Sequence, residues 1–81
     1  MEYQEVIKEF NRLFIDVLDN EEIVLKEETT ANDIEEWDSL THIHLIVEIE
    51  KFFKIKFTAA EIEGFANVGA MCKFVASKTE A

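Results

Sequence analysis

Apolar residues recur every three or four positions through the first eighteen residues of the chain, and again between Leu40 and Phe53. This spacing puts the apolar side chains on one face of a helix. We therefore predict one helix over about residues 2–18 and a second over about residues 39–53. The apolar positions of the first helix are Tyr3, Val6, Ile7, Phe10, Leu13, Phe14, Val17 and Leu18, and those of the second are Leu40, Ile43, Ile46, Val47, Ile49 and Phe53.

A long polar connection separates the two predicted helices. The run Asp19-Asn20-Glu21-Glu22 ends the first pattern with turn-forming residues, and no helical period returns before Ser39. Connections of this length are uncommon in small domains and are often functional. Two roles are open for Trp37: closing the base of the loop, or stacking on a ligand. The apolar residues expected to anchor the loop are Ile23, Val24, Leu25, Ile34 and Trp37.

The C-terminal third carries start and stop signals for a short helix. Thr58 and Glu61 have the spacing of a capping box, in which each side chain accepts a hydrogen bond from the other residue's backbone N–H. We predict a short helix over about residues 59–63. Gly64 is the expected left-handed residue that ends this helix.

A last helix is predicted from Val68 to about Ser77. Asn67 is a good N-cap for it, and Gly69 should weaken it slightly. We therefore predict an all-α fold, a small four-helix bundle with three longer helices, one short helix and a long loop between the first and second helices. Residues 1–81 are expected to form a single domain. The inward face of the last helix is predicted to be Val68, Met71, Cys72 and Val75.

The net charge of the chain limits the kinds of partner that it can bind. Eighteen acidic residues and eight basic ones give a net charge of −10 on 81 residues. Such a surface repels nucleic acid and anionic membranes, so we expect partners with basic patches and a monomeric protein. No apolar run approaches the ~20 residues that span a membrane, and no secretory signal is visible. We therefore expect a cytoplasmic protein without membrane insertion, in which the lone Cys72 is a small core residue.

The titratable residues do not form a metal site or a catalytic site in the sequence. His42 and His44 point to different sides of a helix and are interpreted as surface residues, and no calcium-binding loop pattern fits. Ser39 is instead the candidate for modification, because it starts the second helix. Backbone N–H groups there lack partners and the helix dipole favours negative charge, so a phosphate on Ser39 should meet free donors.

The chain resembles an acyl carrier protein over nearly its full length. The resemblance rests on Asp38-Ser39-Leu40, the helix 43–53, the run Phe57-Thr58-Ala59-Ala60-Glu61-Ile62, and Asn67-Val68 at the start of the last helix. It implies a four-helix bundle without catalytic activity. It also implies that a magnesium-dependent phosphopantetheinyl transferase attaches 4′-phosphopantetheine from coenzyme A to Ser39. The arm then holds acyl or aminoacyl groups as thioesters for loading and transferring enzymes.

The resemblance also implies roles for the neighbours of Ser39. Asp38 is expected to be either a helix cap or a charge read by the transferase, and Leu40 either a core residue or a partner contact. Partner contacts are expected at Leu40, Ile43, Glu48 and Glu50. An acyl pocket is expected at Ile49, Phe57, Phe65, Met71 and Phe74, and two interpretations are open for its bulky residues. They either restrict the carrier to short, polar or aminoacyl cargo, or swing aside for long chains.

The second helix departs from the pattern of carriers in fatty acid synthesis. Thr41, His42 and His44 stand where such carriers have acidic residues, and Lys51 follows Glu48 and Glu50 closely. The stretch is similar to carriers dedicated to polysaccharide or secondary-metabolite pathways. The competing hypothesis is an acidic helical interaction module without a prosthetic group, and an esterase is a more distant one.

Overall fold

The computed structural model describes residues 2–65 and 67–79. Within these ranges it contains no β-strand, and the predicted all-α architecture with a long loop is confirmed. No helix in the described part of the chain is both long and apolar enough to cross a membrane. The elements are α1 (Tyr3–Leu18), the 3₁₀ helix η1 (Ala31–Asp33), α2 (Ser39–Phe53), α3 (Ala59–Gly64) and α4 (Val68–Thr79).

Helix α1 is the centre of the packing and lies against both α2 and α4. Its Phe10 and Phe14 are fully buried, and Phe10 contacts Phe53 of α2 with ring centroids 5.8 Å apart. Trp37 brings the loop into the same core, with its ring edge-on to Phe14 at 4.9 Å. Removing these rings from water stabilises the core. The buried apolar residues are Val6, Phe10, Leu13, Phe14, Leu18, Ile23, Leu25, Trp37, Leu45, Ile46, Ile49, Phe53, Val68, Met71, Cys72 and Val75.

The first half of the long loop is held by the side chain of Asn11, which the sequence pattern did not single out. Its Nδ2 donates to the carbonyl oxygen of Ile23 at 3.1 Å, and its Oδ1 accepts from the backbone N–H of Leu25 at 2.6 Å. Both backbone groups are thereby satisfied beside two buried side chains. Of the predicted loop anchors, Ile23, Leu25 and Trp37 are buried, whereas Val24 is 73% exposed.

The middle of the loop pairs with the start of α4. The backbone N–H of Val68 donates to the carbonyl oxygen of Thr29 at 2.8 Å, and that of Gly69 donates to the carbonyl oxygen of Glu27 at 2.9 Å. Gly69 is buried, and a Cβ atom placed on it would lie 2.8 Å from the Glu27 carbonyl oxygen. The glycine therefore allows the loop backbone to approach α4 closely.

The predicted helix signals are mostly confirmed. Thr58 and Glu61 form the capping box of α3, and the Oδ1 of Asn67 accepts from the backbone N–H of Ala70 at 2.9 Å. The predicted left-handed conformation of Gly64 is wrong, since no described glycine has a positive φ angle. Helix α3 ends instead with extended backbone at the next residue, which needs no glycine. The left-handed residues are Asp19 (φ 53°) and Lys54 (φ 58°), which end α1 and α2.

Candidate functional site

Ser39 is the first residue of α2 and is exposed to solvent. The preceding Asp38 has extended backbone and serves as the N-cap of the helix. This local geometry presents the Ser39 side chain at the surface, where the positive end of the helix dipole lies. An enzyme can therefore reach the hydroxyl oxygen without unfolding any part of the bundle.

The Asp38 carboxylate occupies the backbone donors at the start of α2. Its Oδ1 accepts from the backbone N–H of Thr41 at 2.9 Å and from that of Leu40 at 3.0 Å. These bonds, led by the one from Thr41, lower the pKa of Asp38 below its ordinary value. The expectation that a phosphate on Ser39 meets free donors is therefore wrong for these two groups. Of the two roles considered for Asp38, helix capping is the one observed.

A stripe of exposed apolar side chains runs along α2 from the position after Ser39. Leu40 is 80% exposed, and Ile43 and Val47 follow on the same side of the helix at 53% and 39%. The sequence pattern had placed all three on the same helical face as the core residue Ile49. The core face of α2 is instead Leu45, Ile46, Ile49 and Phe53, so this helix has two apolar faces and only one of them is covered.

The two glutamates predicted to contact partners have different surroundings. The Oε1 of Glu48 lies 3.9 Å from the Nε2 of His44 on the exposed side of α2. The Oε2 of Glu50 accepts a hydrogen bond from the backbone N–H of Phe57 at 2.8 Å, which fixes the chain after α2. Glu50 is therefore engaged within the fold, while Glu48 remains half exposed.

A cleft of about 680 Å³ opens beside Ser39 between α2 and α3, and we call it the Ser39 cleft. Two of the predicted pocket residues, Phe65 and Met71, line it. Ile49, Phe57 and Phe74 do not. Ile49 is fully buried in the core, and Phe57 and Phe74 pack on each other with ring centroids 5.2 Å apart. The lining residues are Thr30, Ala31, Asn32, Trp37, Asp38, Ser39, His42, Ile43, Ala59, Ile62, Glu63, Phe65, Asn67 and Met71.

His42 has a more specific environment than the predicted surface histidine. It is half buried, its ring stacks on that of Trp37 at 5.9 Å, and its Nδ1 accepts from the Trp37 indole N–H at 3.1 Å. Its Nε2 lies 3.4 Å from the carbonyl oxygen of Ile62 in α3. The interpretation as a surface residue is wrong for His42, because its hydrogen bond with the buried Trp37 holds the ring against the protein. It is right for His44, which is exposed.

Metal-ligating side chains do not gather at this site or elsewhere in residues 2–65 and 67–79, where no group of three or more His, Cys, Asp or Glu has suitable geometry. The site therefore consists of an exposed serine hydroxyl at a helix start, an exposed apolar stripe after it and a cleft beside it. These are features of a protein that carries a covalently attached group and presents it to other proteins.

Comparison with known proteins supports this class. The family model described as the phosphopantetheine attachment site matches residues 9–75. The solution NMR structure of the holo acyl carrier protein from Geobacter metallireducens is similar over 90% of this chain and 84% of that chain, with 42% sequence identity and a TM-score of 0.85. Among curated protein sequences, none matches this chain.

The chain therefore belongs to the phosphopantetheine attachment site family. It has the acyl carrier protein fold, its cofactor is 4′-phosphopantetheine, and it is a carrier protein, not a catalyst. The residues of the site fit this group, because an exposed hydroxyl and an adjacent open cleft leave room for a flexible arm. Bound there, the arm supplies a thiol that can hold a cargo as a thioester. The alternative of an interaction module without a prosthetic group is not supported.

Proposed function

We propose that this protein carries acyl or aminoacyl intermediates as thioesters on a 4′-phosphopantetheine arm attached to Ser39. The observation that supports this assignment is the exposure of Ser39 at the first position of α2, within the region matched by the family model. A tethered thioester raises the effective concentration of the intermediate near a docked enzyme without tight binding.

Attachment needs only the Ser39 oxygen from this chain. That oxygen forms a bond to the phosphorus nearest the pantetheine in coenzyme A. The bond from this phosphorus to the nucleotide phosphate breaks, and the hydroxyl proton passes to a base of the phosphopantetheinyl transferase. Because Asp38 already occupies the N–H donors of Leu40 and Thr41, these two groups would not be available to hold the new phosphodiester.

We propose that partner enzymes bind the stripe of Leu40, Ile43 and Val47. Exposed apolar side chains of this size contribute most when a partner covers them. In the loop that precedes α2, the acidic side chains of Asp33, Glu35 and Glu36 are exposed. A partner of matching chemistry has an apolar hollow with basic residues on the side that faces the loop. Glu48 adds a charge farther along α2, whereas Glu50 is held within the fold.

The partners proposed are a phosphopantetheinyl transferase and enzymes that load and transfer acyl or aminoacyl groups. Fatty acid, polyketide and polysaccharide-linked biosynthesis are the pathways in which such carriers would serve. His42 and His44 on α2, in place of acidic side chains, favour a dedicated pathway over bulk fatty acid synthesis. We further propose that residues 1–81 form one carrier domain and that it acts in the cytoplasm, where coenzyme A and the transferase meet it.

Mass spectrometry tests the attachment. The purified chain is incubated with coenzyme A, magnesium and a broad-specificity phosphopantetheinyl transferase, and its intact mass is measured. We expect one phosphopantetheine adduct per chain, abolished in Ser39→Ala. The chain has one other serine, the exposed Ser77, so Ser77→Ala is a matched control that should keep the adduct. An adduct that survives Ser39→Ala would overturn the assignment.

A further inference from the structure

The side chain of His42 joins three parts of the molecule at the mouth of the Ser39 cleft. It lies one turn after Ser39 on α2, it accepts from Trp37 at the end of the loop, and it faces the Ile62 carbonyl oxygen on α3. An indole N–H can only donate, so Nδ1 of His42 is the acceptor. In the neutral ring the proton is then on Nε2, which directs it toward Ile62.

The imidazole of His42 is held in place by Trp37, which is itself packed in the protein core. Trp37 is only 7% exposed and packs edge-on against Phe14, which is fully buried. The indole in turn stacks on His42 and donates to it. Rotation of the imidazole away from the cleft would therefore break a hydrogen bond and unstack two rings, in addition to losing the contact with Ile62.

The deeper wall of the cleft is already filled. Met71 is 1% exposed, and Phe65 packs on Phe57 and Phe74 with ring centroids 5.6 Å away from each. A long chain attached near Ser39 can reach the apolar interior only by separating α2 from α3. The contact from His42 to Ile62 spans these two helices beside the cleft, so separation must break it.

We propose that His42 sets the length of the cargo, by tying α2 to α3 and confining attached groups to the outer part of the Ser39 cleft. This inference rests on the proposed attachment at Ser39. The wall that a cargo meets there includes the His42 imidazole and the Trp37 indole together with apolar side chains such as Ile62. Its limited depth suits short acyl or aminoacyl groups. Long alkyl chains stay in contact with solvent or with a partner enzyme. His42 is in this sense a positioning residue that acts through Ile62.

The test uses the ¹⁵N-labelled full chain loaded with acetyl, butyryl, hexanoyl or octanoyl phosphopantetheine, followed by amide chemical shifts. In the wild type we expect shifts at Ile62 and Phe65 that stop growing after butyryl, and unchanged shifts at the core residues Ile49 and Val75. In His42→Ala, the shifts at Ile49 and Val75 should grow from hexanoyl to octanoyl. The octanoyl thioester should also hydrolyse severalfold more slowly in this variant, because the chain draws it out of water.

Three further variants separate this role from general stability. His44→Ala removes the exposed histidine two positions away and should behave as the wild type. His42→Gln keeps a donor for the Ile62 carbonyl and should restore most of the length limit. Trp37→Phe keeps a ring but removes the N–H that orients His42, and it should give an intermediate result. If His42→Ala does not fold, the comparison of Trp37→Phe with the wild type tests the inference instead.

The outcomes are distinguishable. This inference alone would be overturned if an octanoyl group changed the amide shifts of Ile49 and Val75 in the wild type. It would also be overturned if these shift changes depended on acyl length equally in the wild type and in His42→Ala. The same change in His44→Ala would also overturn it. A chain that accepts no arm on Ser39 would overturn the proposed function, and this inference with it.

Discussion

The backbone N–H of Gly69 in α4 lies 2.9 Å from the carbonyl oxygen of Glu27 in the loop, a distance that only a residue without a side chain permits at this position. A Cβ atom on Gly69 would stand 2.8 Å from that oxygen and from the Cγ of Glu27. The contact holds the loop on α4 and so supports the segment that leads to Ser39.

Gly69→Ala should therefore destabilise the protein, although alanine is the better helix former by about 1 kcal/mol. Displacing the loop backbone should cost about 1–3 kcal/mol and outweigh that gain. Gly64→Ala is the matched control, because no atom lies within 4 Å of a Cβ there and the residue is helical. It should stabilise the chain by about 0.5–1 kcal/mol. Chemical denaturation of both variants measures the difference, and equal shifts would contradict the steric argument.

Asn11→Ala should weaken the attachment of the loop to α1. The substitution leaves the Ile23 carbonyl and the Leu25 N–H without their partner beside buried side chains. Unsatisfied groups of this kind cost about 1–3 kcal/mol, and we expect the free energy of unfolding to fall by about 2 kcal/mol. Gln4→Ala removes an exposed amide from the same helix and should change stability by less than about 0.5 kcal/mol. Hydrogen exchange of the Leu25 amide should quicken in Asn11→Ala only. Unchanged protection there would show that the loop is held elsewhere.

The features that the sequence predicted are those whose signals are local. The limits of α2 and the Thr58–Glu61 capping box follow from residues a few positions apart, and the structure agrees. The contacts of Asn11, Gly69 and His42 depend on partners brought close by the fold, so a single sequence carries no pattern for them. The apolar pattern of α2 combined exposed and buried positions and left out the buried Leu45 for a different reason. That helix has two apolar faces, and periodicity alone cannot tell which of them α1 covers.

Leu40→Ala should impair partner recognition while leaving the fold intact. Its side chain is 80% exposed, so truncation should change stability by less than about 0.5 kcal/mol. Loss of an apolar anchor at a partner surface costs about 1–2 kcal/mol, which corresponds to roughly a tenfold lower kcat/KM for the transferase. Val24→Ala is the control, since Val24 is 73% exposed on the loop and does not line the Ser39 cleft. Equal loading rates for all three proteins would exclude Leu40 from the docking surface.

Asp38 should make the start of α2 sensitive to acid. Its pKa in the folded protein is lower than the ordinary value of 3.8, so its stabilising effect is present above that value. The effect is lost as the pH falls through the folded-state pKa. Asp38→Asn keeps an acceptor for the Thr41 and Leu40 N–H groups but cannot titrate, whereas Asp38→Ala loses the cap at every pH. We expect the melting temperature of the wild type to fall toward that of Asp38→Ala in acid. A constant difference between wild type and Asp38→Asn across the acid range would contradict this.

A last prediction concerns thiols, because the chain has a single cysteine and the proposed arm adds another thiol. Cys72 is fully buried in α4, and burial raises the pKa of its thiol to about 12. A thiol-specific reagent at mildly alkaline pH should therefore find no reactive group in the folded apo protein, since the thiolate is the reactive form. After phosphopantetheine attachment, the reagent should find one reactive thiol per chain, and it should find none in Ser39→Ala treated in the same way. Unfolding in denaturant should expose Cys72 and add one reactive thiol per chain to each of these counts. Reaction of the folded apo protein at the rate of the unfolded chain would mean that α4 opens readily, and that the core around Cys72 is less tightly closed than its burial indicates.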